Sequence, residues 1–114
     1  MHIVETLLST AYEDTQLLIK NDELGDDFAV PRDVDFVVIA KEKTTAEAVA
    51  SFVTDNRYGS PRVEEGGDAF RVVVSVHMPI TQGVLCSVSA LMACLAELFS
   101  LEYDGWGCVI QRRA

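Results

Sequence analysis

Between Val72 and Ala96 the sequence carries no formal charge, with His77 neutral, yet its hydrophobic period changes halfway along. The first part alternates. Phe70, Val72, Val74, Val76 and Met78 take one face, and Arg71, Val73, Ser75 and His77 take the other, the period of a strand over 69–78. Pro79 ends it. Beyond Thr81, placed to cap a helix, apolar residues recur at Val84, Leu85, Val88, Leu91, Met92, Leu95, Leu98 and Phe99, a helical stripe. A run of this length could span a bilayer if it kept one period. It does not, and Ser75, His77, Pro79, Thr81, Gln82, Gly83, Ser87 and Ser89 interrupt it. Acidic Glu97, Glu102 and Asp104 follow with no Lys or Arg anchor. The run predicts a strand followed by a buried helix, with no membrane span.

The remaining elements follow from the same two periods. Val4, Leu7, Leu8, Ala11 and Leu18 predict an amphipathic helix over 3–20, followed by an acidic loop over 21–31. Pro31 biases Val30 toward extended backbone and marks entry to a strand over 33–41. There Val34, Phe36 and Val38 alternate with Val37 and Ile39, so both faces are apolar and the strand is central. Thr44 and Glu47 match a capping box ahead of Ala46, Val49, Phe52 and Val53 at helical spacing. Gly59 is the expected terminator of that helix. A short polar edge strand over 61–65, a Gly66-Gly67 hairpin turn and a final strand from about Leu101 to Gln111 complete the chain.

After the first helix the order is β-α-β-β-α-β. At 114 residues the chain fits one domain: a helix and acidic loop over 1–31, then a core over 32–111. The expected fold is α+β and ferredoxin-like: a four-stranded antiparallel sheet in the order 4-1-3-2 with two helices on one face. The other face would show Val37, Ile39, Val73, Trp106 and Ile110. Such a patch is left for the N-terminal helix, a second copy of the chain or a partner to cover.

Charge narrows the function. Eighteen acidic residues face nine Lys and Arg, a net charge of -9. Nucleic-acid binding needs clustered cations, so this balance disfavours it and favours a basic partner. Glu13, Asp14, Asp22, Glu23, Asp26 and Asp27 are concentrated in one short stretch whose only base is Lys20. They form either a solvated face that keeps the protein soluble or a docking surface for a basic protein segment. Cys86, Cys94 and Cys108 are odd in number and form no C-x-x-C pair, which fits neither a disulfide framework nor a zinc site. With a start, Met-His-Ile-Val-Glu, unlike a signal peptide, they predict a cytoplasmic protein.

Catalytic motifs are scarce. The sequence has no nucleophile elbow, phosphate loop or dinucleotide fingerprint. Its histidines, His2 near the terminus and His77 on a strand, stand at no metal-ligand spacing. Asp33 and Asp35 share a strand face, as do Glu102 and Asp104, but no apolar pocket with an opposed group is visible. The expectation is a non-enzyme without metal or cofactor. A small enzyme using His77 beside a carboxylate is the weaker alternative.

The most specific element is Glu102-Tyr103-Asp104-Gly105-Trp106-Gly107. Strict alternation would send Tyr103, Gly105 and Gly107 to one face and Asp104 and Trp106 to the other. Glycines inside a strand suggest a bulge or a close approach. Tyr103 and Trp106 either fill space or anchor an interface. The block follows a long helix ending Ala-Glu-Leu-Phe. It resembles the C-terminal signature of the regulator of ribonuclease E activity B (RraB-like) family. The acidic N-terminal helix, Val34-Asp35-Phe36 and Tyr58-Gly59 extend the resemblance over roughly residues 30–110. It implies a ferredoxin-like fold and a cytoplasmic, non-catalytic protein that binds ribonuclease E and lowers its RNA cleavage. The implied contact is the basic, largely disordered scaffold half of that nuclease. Better-known members carry an acidic tail after the signature, where this sequence reads Arg112-Arg113-Ala114, and Cys108 stands where several have Thr. The expected seat of docking is therefore the N-terminal acidic segment, with Glu102, Tyr103, Asp104 and Trp106. The alternative is a binding module of unknown ligand, or a homodimer through the open sheet face.

Overall fold

A computed structural model describes residues 3–114; His2 lies outside the described residues. In chain order the elements are α1 (Ile3–Glu23), β1 (Arg32–Ala40), α2 (Lys43–Asp55), β2 (Ser60–Gly66), β3 (Ala69–Met78), α3 (Gln82–Leu98) and β4 (Glu102–Gly107). The four strands form one antiparallel sheet in the order β2-β3-β1-β4, the expected order counted from the opposite edge. The fold is thus α+β, with three helices and a four-stranded antiparallel sheet.

Helices α2 and α3 cover the face carrying Val34, Phe36, Val38 and Ala40 of β1 and Val72 and Val74 of β3. All six are at most 1% exposed. From above, α2 supplies Ala46, Val49 and Val53, and α3 supplies Leu85, Met92, Leu95 and Ala96. Phe52 of α2 meets Phe99, just past α3, edge-on at 5.8 Å. The period change at Pro79 therefore marks where the chain leaves the sheet and returns across its apolar face.

Both core helices end in the same way, and neither ends on glycine. After α2, Arg57 donates to the Thr54 carbonyl and Tyr58 to the Val53 carbonyl. After α3, Ser100 donates to Glu97 and Leu101 to Ala96. These are Schellman motifs with Arg57 (φ 58°) and Ser100 (φ 56°) in the left-handed position. Gly59, the expected terminator, serves otherwise. Just ahead of β2 it lies so close to β3 that a Cβ would be 2.7 Å from Val74 Cγ1. The expected capping box is also corrected. The N-cap of α2 is Glu42, and Thr44 and Glu47 both lie within the helix. Thr81 does occupy the N-cap of α3, without a side-chain bond.

The N-terminal helix does not cover the open sheet face; it lies along α3. Its buried residues are Asp14 and Leu18, whereas Val4 (64% exposed), Leu8 (68%) and Tyr12 (67%) face outward. The open sheet face is not a broad apolar patch either. Arg62 pairs with Asp35 and Glu64, and Arg71 pairs with Glu64, around a nearly buried Val37 and Val73. The last strand is shorter than expected. Beyond Gly107 the chain turns back to the acidic loop, where Asp27 donates to the Gln111 carbonyl and Arg113 to the Gly25 carbonyl. Ile110 thus lies past the end of the sheet.

Candidate functional site

The signature strand is where alternation fails. Trp106 pairs with Phe36 and Tyr103 pairs with Val38, with a register shift between them. Asp104 and Gly105 together oppose Val37, and Gly105 takes φ +90°, a bulge that favours glycine. Because Phe36 and Val38 both face the core, Tyr103 and Trp106 do too. This corrects the expectation that they point to opposite faces and that Trp106 lies on the open one.

The bulge aims both aromatic residues at helices. The Tyr103 and Ser89 hydroxyls share a hydrogen bond of 2.8 Å, joining β4 to α3. The Trp106 indole donates to Asp14 Oδ1 at 3.1 Å, joining β4 to α1. Burial pushes the Tyr103 phenol far above its ordinary range. Burial likewise raises the Asp14 carboxyl above its usual value. The Ser89 hydroxyl and the Trp106 indole pull it back, and the charge of Glu13 pushes it up. Asp14 is 4% exposed and its Oδ2 accepts no hydrogen bond.

A groove of about 540 Å3 opens between α1, the C-terminal half of α3 and the start of β4. Glu5, Glu13 and Asp14 line it from α1, Glu97 from α3 and Glu102 from β4. Among the described residues no Lys or Arg lines it or pairs with these carboxylates. Ala93, Ala96 and Leu101 give it an apolar wall. Sequence pattern alone does not mark Glu5 or Glu97 as a docking residue. Their helical positions carry no sign that α1 would pack beside the end of α3.

The acidic stretch is divided by the fold. Asp26 is 1% exposed and receives Arg32 Nη1 at 2.7 Å and 2.9 Å on its two oxygens. Asn21 and the Gln111 amide also donate to it. Arg32, 4% exposed, donates further to the carbonyls of Val30, Asp27 and Val109. This buried pair therefore fastens the acidic loop, the start of β1 and the C-terminal segment together. Asp22 pairs with Arg113 at 3.1 Å, and Arg112 donates to the Leu24 carbonyl. Asp27 Oδ1 accepts from the Ala29 amide. Arginines thus answer much of the charge at the C-terminal end of α1. Glu13 and Glu23 remain exposed, and Asp104 faces the groove of the open sheet side.

The residues suited to catalysis meet only at an exposed surface. His77 Nδ1 and Asp33 Oδ1 are 2.9 Å apart across β3 and β1, but their side chains are 68% and 79% exposed. Asp35 is held by Ser75 and Arg62. Among the described residues no three His, Cys, Asp or Glu are close enough to hold a metal ion, and no helix is long and apolar enough to cross a membrane.

Fold and site together define a small acidic α+β protein with a carboxylate-lined groove between α1, α3 and the start of its signature strand. The chain matches the family described as regulator of ribonuclease activity B over residues 11–108, and it belongs to that family. No curated protein matches the chain.

Proposed function

We propose that this protein is a non-catalytic, cytoplasmic regulator with a ferredoxin-like fold. It binds the basic scaffold region of ribonuclease E and lowers its RNA-cleaving activity. The family match over residues 11–108 carries this reading, because the family is one of ribonuclease regulators. Charge supports it. A net charge of -9 repels RNA and steers a basic protein segment. The exposed part of the docking surface is Glu13, Asp22, Glu23, Glu102 and Asp104, with Asp27 half-buried beside them. Tyr103, Trp106, Asp14 and Asp26 shape it from beneath.

The test is a pull-down with the nuclease's basic scaffold segment at moderate salt, together with RNA cleavage in the protein's presence. Binding that weakens as salt rises, with slowed cleavage, is expected. Unchanged cleavage without binding overturns the proposal.

A second reading, self-association, draws on the outward-facing Val4, Leu8 and Tyr12 of α1. Sedimentation velocity at micromolar protein decides it: a dimer supports this reading, and a monomer removes it.

A further inference from the structure

We infer that the groove between α1 and β4 is a receptor for arginine side chains of a basic peptide, with the Asp14 carboxylate, buried at its floor and short of one donor, as the acceptor a guanidinium completes. The inference rests on the proposed function and adds the seat and the chemistry of contact.

Two independent observations carry it. The first is the lining: five carboxylates, from Glu5, Glu13, Asp14, Glu97 and Glu102, with no cation among the described residues. The second is the Asp14 Oδ2 atom, buried and without a hydrogen-bond partner. A buried carboxylate oxygen without a donor is costly, so folded proteins rarely keep one unless something else supplies the donor. Trp106 satisfies Oδ1 from one side and holds the carboxylate in place. The Ser89 hydroxyl also acts on the carboxylate, but it is shared with Tyr103, and Oδ2 keeps no hydrogen-bond partner.

The shape selects the ligand. No three of these carboxylates approach closely enough for one metal ion, so the negative charge is spread along the groove. An extended chain bearing several cations matches that spread. Arginine fits better than a compact ammonium. Its guanidinium offers five donors in a planar fork, enough to reach Asp14 and a neighbouring glutamate together. Its aliphatic stem can lie on Ala93, Ala96 and Leu101 while the head reaches the acids. A second copy of this chain is a poor occupant, because its own net charge of -9 would face the same acids.

The test uses a fluorescein-labelled hexa-arginine peptide and three variants of the full chain, each checked for its fold by circular dichroism. Glu13→Gln with Glu97→Gln removes two charges from the groove. Glu65→Gln with Asp68→Asn removes two from the β2–β3 hairpin, away from it. At near-physiological salt the groove pair is expected to weaken binding about tenfold, and the hairpin pair less than about threefold. Equal losses, or no binding by the unsubstituted protein, overturn the inference. Trp106 is the single tryptophan, so its emission reports the groove floor. A shift on adding hexa-arginine that Asp14→Asn abolishes is expected; a shift that persists in that variant overturns the inference. The ribonuclease scaffold segment separates the two claims. If the unsubstituted protein fails to bind it, the proposed function falls. If the groove pair binds it as well as the hairpin pair does, only the seat of contact falls.

Discussion

The buried Asp26–Arg32 pair fastens the acidic loop, the start of β1 and the C-terminal segment to one another. The decisive perturbation is Asp26→Asn. It keeps the shape and removes the charge that Arg32 meets at 2.7 Å and 2.9 Å, with both side chains almost fully buried. The variant leaves a buried guanidinium without its counter-charge. Removing one partner of such a pair costs about 3–5 kcal/mol. Unfolding entropy is about 2.1 cal/mol/K per residue. Over 114 residues this is about 0.24 kcal/mol/K, so Tm should fall by about 12–20 °C. Differential scanning calorimetry at pH 7 measures it. A second arm replaces both partners, Asp26→Leu with Arg32→Met, and should lose much less than the two single variants together. A fall of less than about 4 °C for Asp26→Asn, roughly 1 kcal/mol, would refute the view that this pair locks the loop, β1 and the C-terminal segment.

Asp14→Asn tests the groove's thermodynamic side. Because burial raises the folded carboxyl, the folded state binds the proton more tightly than the unfolded chain. The penalty of holding Asp14 ionised is full at neutral pH. It disappears as pH falls through the raised folded value toward the ordinary 3.8. The variant should therefore melt above the unsubstituted protein at pH 7, with the gap closing in acid; a gap independent of pH would contradict this. Gly59→Ala drives a Cβ to within 2.7 Å of Val74 Cγ1, and chemical denaturation should show a loss of about 1–3 kcal/mol. Arg57→Gly relieves a left-handed residue at the end of α2 and should add up to about 1 kcal/mol in the same assay.

Sequence pattern was informative where packing follows period. Val72 to Met78 and Leu85 to Ala96 were read as strand and helix because one apolar face of each had to meet the same core. The strand order followed from crossover handedness. The signature was legible as unusual, and Gly105 as a candidate bulge. Where Trp106 points was not legible, because one inserted residue reverses every face after it. The groove is a long-range product. Glu5 and Glu97 are ordinary helix-surface acids until α1 lies along α3. The pairing of Asp26 with Arg32, and of Asp22 with Arg113, depends on the C-terminal chain folding back. The end of α2 was not legible for a local reason: Arg57, not Gly59, takes the conformation for which glycine is the usual signal, whereas the end of α3 at Ala-Glu-Leu-Phe was legible. The outward face of α1 shows a further limit. Its apolar period announces a helix without saying which flank α3 would take, and α3 took Asp14 and Leu18.

The central claim is that this acidic protein regulates a ribonuclease by engaging its basic segment through the groove that the signature builds. Isothermal titration of that segment into the unsubstituted protein, the groove pair and the hairpin pair tests it most directly. The account predicts salt-sensitive binding that the groove pair weakens about tenfold and the hairpin pair leaves within about threefold. Binding of equal strength in all three proteins would contradict it.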